Sequence, residues 1–113
     1  LCSKLRSLSD ECLRLFNNGD VASTFMRDSE FHLTIASASD NRYLVEMMMQ
    51  LDAKVQLYRI IRNDATPKIE ANLQLHAQLV DAIESGDAAK AESLMRRHIA
   101  DSYDNGRLSR ADA

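Results

Sequence analysis

Apolar residues recur at steps of three and four along most of this chain. That spacing is typical of amphipathic helices, because it places the apolar side chains on one helical face. β-Branched and aromatic residues are sparse, with only three tyrosines, three phenylalanines and no tryptophan, so strands have little to build from. The pattern therefore predicts an all-α fold.

Five apolar stripes are separated by short polar breaks, and a few positions within them carry polar residues. In chain order the stripe positions are Leu1, Leu5, Leu8, Cys12 and Leu15; Val21, Phe25, Asp28, His32, Ile35 and Ser39; Leu44, Met48, Leu51, Val55 and Tyr58; Ile69, Leu73, His76, Val80 and Ile83; and Ala91, Met95, His98 and Ser102. Met26 and Ala36 flank the second stripe, and Leu94 and Ile99 flank the last. We expect each stripe to face a common core.

The breaks between the stripes consist of residues that end or cap helices. They are Asn17–Gly19 with Asp20 as the next cap, Asp40–Asn41, Thr66–Pro67, and Ser85–Gly86 with Asp87 as the last cap. Asn41 is interpreted as a turn or cap residue. The polar tail 105–113 is expected to fray.

The third stripe is broader than the others. Val45, Met47, Met49 and Ile60 widen it beyond one face. We interpret the methionines as core or interface residues, since methionine is apolar and adaptable. So wide an apolar surface indicates contact with more than one neighbour, including a second subunit.

The composition describes one globular domain of 113 residues, with 45% hydrophobic residues and a net charge of −3. Lysines and arginines are scattered, so this stretch alone is not expected to bind DNA. Its apolar runs are far shorter than the ~20 residues of a membrane-spanning helix. Cys2 and Cys12 lie ten residues apart in one helical pattern and are interpreted as reduced thiols of a cytoplasmic protein.

Four polar residues replace apolar ones in the core-facing stripes: Asp28, His32, His76 and His98. A single histidine on an apolar face is usually a satisfied core residue, but a buried carboxylate requires a cation or several donors. Asp28 and His32 are four residues apart, about 40° around a helix, and can reach the same ion. Three imidazoles and one carboxylate suit a divalent metal, Zn²⁺ first, with Ni²⁺, Mn²⁺, Co²⁺ or Fe²⁺ as alternatives.

Four segments resemble motifs of the FadR C-terminal domain, the ligand-binding domain of one branch of the GntR-family transcription regulators. Asp28–His32 resembles D-x-x-F-H, and residues 38–44 resemble the small-residue turn into N-x-x-L. Residues 76–87 resemble H-x-x-(I/L)-x-x-A-(I/L)-x-x-G-D, and residues 88–99 resemble the last-helix pattern A-x-x-x-M-x-x-H-(I/L). The likeness covers most of the chain and includes all four candidate ligands.

The resemblance implies an antiparallel helical bundle that dimerises, holds a metal and binds a small organic acid such as a hydroxy acid or sugar acid. Residues 1–113 would form this effector-binding and dimerisation domain, lacking its first helix. The family's winged helix-turn-helix is absent from this chain, so operator DNA would be bound only through that missing part. Effector binding would then control DNA binding by the parent regulator.

The sequence offers further candidate effector ligands. Arg59, Arg62 and Tyr58 lie on the third predicted helix, where guanidinium or hydroxyl groups can bind a carboxylate, although surface solvation is the simpler interpretation for the arginines. Arg27 and Glu30 are expected to face away from Asp28, which removes Glu30 as a general base.

Two other function classes compete with the sensor. The first is an enzyme of the metallohydrolase or di-iron bundle class. A di-iron bundle needs Glu-x-x-His pairs, but the positions three before the histidines hold Ser29, Leu73 and Met95. The chain is therefore predicted not to be an enzyme. A metal-free helical dimerisation module, with histidines as core spacers, is the second alternative.

Overall fold

A computed structural model of the chain describes the backbone of residues 1–62 and 67–112 and the side chains of residues 1–57 and 70–100. The described backbone forms the helices α1 (Cys2–Asn17), α2 (Val21–Ser37), α3 (Arg42–Arg62), α4 (Pro67–Glu84) and α5 (Ala88–Asp112). No strand occurs in those backbone ranges, and the predicted all-α class is confirmed. Within them, no helix combines the length and apolar content needed to cross a bilayer.

The chain falls into two compact units. The first contains α1 from Ser3 onward, α2 and α3, and the second contains α4 and α5. In the part of each unit that the structure describes, helices that are neighbours in sequence are joined by short turns. Such turns favour antiparallel packing of the two helices that they connect.

Side-chain caps begin three of these helices, as predicted. Each cap carboxylate or amide oxygen accepts a hydrogen bond from the backbone N–H three residues further on. This bond satisfies an N–H of the first helical turn that has no partner within the helix. The pairs are Asp20 with Ser23 at 3.1 Å, Asn41 with Leu44 at 3.1 Å, and Asp87 with Lys90 at 3.0 Å. The predicted start at Thr66–Pro67 agrees with α4 at Pro67, while Thr66 lies outside the described residues.

Left-handed backbone conformations occur at the helix ends. Gly19 has φ +81° and Gly86 has φ +76°, and the second break places Asp40 at φ +56°. Glycine adopts this region without a steric penalty, and aspartate tolerates it better than most residues. The predicted breaks at Gly19 and Gly86 are thus confirmed by the backbone itself.

Helices α1 and α2 run antiparallel around the turn at Gly19. The Cys12 thiol donates to the Thr24 carbonyl at 3.8 Å, and Arg27 Nε donates to Glu11 Oε1 at 3.1 Å. The residues of each pair lie at similar distances from the turn on either side. Cys12 is fully buried, and both cysteines are free thiols.

Gln56 links α3 to α2 by hydrogen bonds. Its side-chain amide donates to the Phe25 carbonyl at 2.8 Å and to the Ser29 hydroxyl, which itself donates to the same carbonyl at 3.1 Å. Phe25 and Ser29 are buried and Gln56 is half-buried, so the bonds made by Gln56 are partly shielded from water. This set of hydrogen bonds between Gln56, Phe25 and Ser29, the Gln56 clamp, fixes the turn of α2 that contains Asp28.

Helices α4 and α5 form a hairpin around Ser85–Asp87. Leu73, Val80 and Ala82 are buried on α4, and His76 meets His98 of α5 with ring centroids 5.0 Å apart. Position 76 lies about as far before the turn as position 98 lies after it. The two helices therefore pack antiparallel, with their histidines at the same level.

Some predicted core positions are wrong. Met26 is 65% exposed and Ile99 is 60% exposed, although both flank a predicted stripe. Each follows a buried residue, Phe25 or His98, and one residue along a helix turns the side chain about 100°. The buried faces of α2 and α5 therefore cover a smaller arc of the helix than the apolar residues of the sequence pattern do. The tail also differs from expectation, because α5 continues to Asp112.

The broad apolar surface of α3 divides into two sides. Met48 and Val55 are half-buried, together with Gln56. An exposed apolar face, defined by Leu57, Tyr43, Met47, Leu51 and Leu44, spans about 140° of the helix away from that side. Contact of this face with a second subunit stays a prediction.

The Gly86 turn yields a first test. Replacing Gly86 with Ala should destabilise the domain by about 1 kcal/mol, because a Cβ penalises the left-handed conformation. No atom lies within 4 Å of a Cβ built there, so the cost is one of backbone conformation and not of collision. Gly86→Asn should cost less. Urea denaturation measures both variants, and equal stability of Gly86→Ala and wild type would contradict the assignment.

The Gln56 clamp yields a second test. Gln56→Ala should lower the free energy of unfolding by about 1 kcal/mol, because α3 loses its part-buried hydrogen bonds to the Phe25 carbonyl and the Ser29 hydroxyl, while Ser29 still donates to that carbonyl. The exposed Gln50 on the same helix is the matched control, and Gln50→Ala should change stability by less than about 0.5 kcal/mol. Similar losses in both variants, measured by urea denaturation, would show that the clamp contributes nothing specific.

Candidate metal centre

The first pair of candidate ligands lies on α2. Asp28 Oδ1 and His32 Nε2 are 3.3 Å apart, with side-chain exposures of 4% and 18%. The i, i+4 spacing predicted that both side chains would share one face and one turn, and the structure confirms it. Neighbouring ligand atoms around an ion bound at about 2.1 Å are roughly 3.0–3.4 Å apart, so this pair has a suitable spacing.

Apolar and hydrogen-bonded surroundings hold this pair in place. Phe31 is fully buried and meets the His32 ring edge-on, with centroids 5.5 Å apart. Ser29, the neighbour of Asp28, is held by Gln56 of α3. A carboxylate in such surroundings loses hydration and requires compensation by donors or by a cation.

The second pair consists of His76 on α4 and His98 on α5. Both are buried, at 1% and 4% exposure, and their rings are tilted by 56°. Their ligating nitrogens lie within 4.8 Å of one another. Two imidazoles whose nitrogens converge in this way are a common feature of zinc sites.

The donor chemistry of the two pairs fits a divalent transition metal. Each residue offers one ligand atom: a carboxylate oxygen from Asp28 and imidazole nitrogens from the three histidines. This nitrogen-rich set with one hard oxygen suits Zn²⁺ and its neighbours in the first transition series better than Ca²⁺ or Mg²⁺, which prefer oxygen ligands.

Glu30 and Arg27 occupy the other side of α2, as predicted. Arg27 Nη1 donates to Glu30 Oε2 at 2.8 Å, and about two fifths of each side chain is exposed. The hydrogen bonds that Arg27 donates to Glu30 and Glu11 raise the pKa of its guanidinium above its already high value. Glu30 therefore pairs with a permanent cation and does not face Asp28 as a general base.

A shallow groove of about 410 Å³ lies along the outer side of α2. Its walls include Lys4 of α1 and Met26, Leu33 and Ser37 of α2, but neither Asp28 nor His32. The groove is open to solvent and contains none of the candidate metal ligands. It is therefore separate from the candidate metal centre.

The predicted effector ligands Tyr58, Arg59 and Arg62 lie in the part of α3 whose side chains are outside the described residues. Their contact with an acid stays a prediction.

Two polar residues of interest were missed by the sequence pattern. Gln56 holds α2 through bonds that depend on how α2 and α3 pack, so no local signal marks it. Asn72 is 7% exposed and precedes His76 by four residues. That spacing from a candidate ligand is a signal that the sequence does contain.

Comparisons with known proteins identify the domain. A family model described as "FCD domain" matches residues 1–101, which is most of the chain. Comparison with curated proteins and with solved structures gives no match. FCD domains are helical bundles that serve as ligand-binding domains of GntR-family regulators, in agreement with the helices described above. The chain therefore belongs to the FCD domain family.

Proposed function

We propose that this FCD domain senses a small organic acid through a divalent metal ion bound by Asp28, His32, His76 and His98. The effector-binding role in a GntR-family regulator follows from the family. The metal and the acid are the further steps of the proposal. The observation that supports them best is that all three histidines of the chain and one buried carboxylate form two ligand pairs, one in each unit.

Zinc is our first choice of metal, with nickel, manganese, cobalt and iron as alternatives. Asp28 and His32 would supply the oxygen and one nitrogen, and His76 and His98 the other two nitrogens. When bound, the metal supplies positive charge and open coordination positions for carboxylate or hydroxyl oxygens. The protein residues hold it in surroundings from which water is largely excluded, where electrostatic attraction is stronger than in solvent.

The acid would be a hydroxy acid, sugar acid or other small carboxylate. A carboxylate paired with a neighbouring hydroxyl can place two oxygens on one metal, which explains why this class suits the site. We further propose that Arg59, Arg62 and Tyr58 contact the acid, since guanidinium groups bind carboxylates in two-pronged fashion. Residues 1–113 would then form the effector-binding and dimerisation domain.

The output would be a change in operator binding by an attached winged helix-turn-helix. The exposed apolar face of α3 supports a homodimer, because an uncovered face of that width is typical of an interface. As a transcription regulator the protein would act in the cytoplasm. Regulators of this family are generally not enzymes, and the position of Glu30 removes one candidate general base.

Substitution of the candidate ligands is the central test of the metal site. Asp28→Asn, His76→Gln or His98→Gln should each reduce the affinity for zinc at least tenfold, because losing a directly bound ligand should cost more than the 10–100-fold attributed to its supporting partners. Glu30→Gln on the outer side of α2 is the matched control and should bind zinc like wild type. Elemental analysis and competition with a chromogenic chelator measure the affinity. Zinc bound equally by all four variants would exclude this set of ligands.

Stability provides an independent test of the same site. A metal that binds only the folded state adds about 2.7 kcal/mol at a concentration one hundred times its dissociation constant. Chelation should therefore lower the melting temperature of the wild type but leave His76→Gln almost unchanged. If the histidines are only core spacers, adding or removing metal leaves the wild-type melting temperature unaltered.

Measurements of acid binding and turnover distinguish a sensor domain from an enzyme. Calorimetry with L-lactate, L-malate, citrate and D-gluconate should detect binding to the zinc-loaded chain and little or none after chelation. Chemical conversion of any of these acids by the zinc-loaded chain would favour a metal-dependent enzyme instead.

A further inference from the structure

The Gln56 clamp holds the turn of α2 that contains a candidate metal ligand. Gln56 donates to the Phe25 carbonyl at 2.8 Å and to the Ser29 hydroxyl, and Ser29 donates to the same carbonyl at 3.1 Å. Asp28 lies between these two residues of α2 and is 3% exposed. Its carbonyl and the Ser29 N–H belong to one peptide group. The clamp therefore restrains the backbone next to the carboxylate that we propose as a ligand.

Helix α2 is held from two directions. On the α1 side, the Thr24 carbonyl accepts from a thiol at 3.8 Å, and Arg27 donates to a carboxylate at 3.1 Å. These two positions lie about 150° around the helix from the positions that Gln56 contacts. Asp28 and His32 fall inside that arc. The bonds to α1 and to α3 thus oppose rotation of α2 on either side of the ligand pair.

Rotation of α2 about its own axis would displace both ligand atoms of this pair. The outer ends of side chains lie about 5–6 Å from a helix axis, so a rotation of about 10° moves them by about 1 Å. Metal–ligand distances vary by only about 0.2 Å. Such a rotation would therefore carry Asp28 and His32 away from an ion that residues of other helices also bind. Restraint of the helix before binding favours affinity, because less reorganisation is then required.

We propose that Gln56 is a positioning residue of the metal centre, whose hydrogen bonds hold α2 at the rotation where Asp28 and His32 can share an ion with ligands of other helices. This inference rests on the proposed function. Gln56 acts through α2 and not as a ligand, since its amide nitrogen donates to Phe25 and Ser29. Glutamine suits this role because one amide nitrogen offers two N–H donors, one for each acceptor.

The test removes the two donors while keeping a side chain of similar length. Methionine resembles glutamine in length but has no N–H, so Gln56→Met separates the hydrogen bonds from the packing. Gln56→Met and Gln56→Ala should each bind zinc about tenfold more weakly than wild type in the chelator competition, a loss typical for residues that support a ligand. With Co²⁺ in place of zinc, the visible absorption bands should change, because they depend on the arrangement of ligands around the ion.

Two further variants are matched controls. Asp20→Ala removes the side-chain cap of α2 and should lower the melting temperature by an amount similar to Gln56→Ala, since a cap and part-buried hydrogen bonds contribute comparably to stability. It should bind zinc and Co²⁺ like wild type, because the contact between α2 and α3 is intact. Gln50→Ala removes an exposed amide from the same helix as Gln56 and should change neither stability nor metal binding.

Failure of this inference is distinguishable from failure of the proposed function. A wild-type chain that binds no zinc overturns the sensor and the role of Gln56 with it. Zinc affinity within about threefold of wild type in both Gln56 variants, with zinc bound by the wild type, overturns the role of Gln56 alone. An equal loss of zinc affinity in Asp20→Ala also overturns it, because reduced stability of α2 would then account for the effect.

Discussion

Burial of ionisable side chains among apolar residues is the constraint on which this domain depends. Asp28 is almost completely shielded from water, and so are His76 and His98. A charge transferred into such surroundings loses hydration worth several kcal/mol, which only a counter-charge and well-placed hydrogen bonds can restore. Selection for stability alone would favour leucine at these positions. The proposed cation would explain why ionisable residues are retained at these positions.

The scaffold satisfies this constraint by local means. Each candidate pair is positioned by local structure. Asp28 and His32 lie one helical turn apart, and a tight helical hairpin brings His76 and His98 together. Ligands on adjacent turns or on paired helices need little further ordering when an ion binds. The conformational entropy lost by the ligands of each pair on metal binding would therefore be small, because most of it is already lost on folding.

Much of the fold and of the candidate site could be predicted from the sequence, since the responsible interactions are local. The caps at Asp20, Asn41 and Asp87 bond to residues three positions away, and Gly19 and Gly86 reveal their conformation by residue type alone. The candidate ligands were recognisable because they interrupt an apolar period. Such signals do not require knowledge of which helices pack together.

Other features depend on tertiary packing and left no local signal. The exposure of Met26 and Ile99 is decided by how narrow the buried face of each helix is, and an apolar pattern overestimates that width. The sequence pattern gives no indication that Gln56 differs from an ordinary glutamine on a helix surface. Its importance arises only because α3 runs antiparallel to α2 and brings the amide to the Phe25 carbonyl.

The Gln56 clamp also bears on how a sensor of this kind can produce an output. Asp28 lies between the two residues of α2 that the clamp holds, and the opposite side of α3 presents the exposed apolar face. A small shift of α2 on acid binding would move α3 as a rigid body, because the Gln56 hydrogen bonds and packed side chains resist continuous deformation. A second subunit resting on that face would then receive the shift. The same helix would thus link the proposed acid site to the proposed dimer interface without any long chain of intermediates.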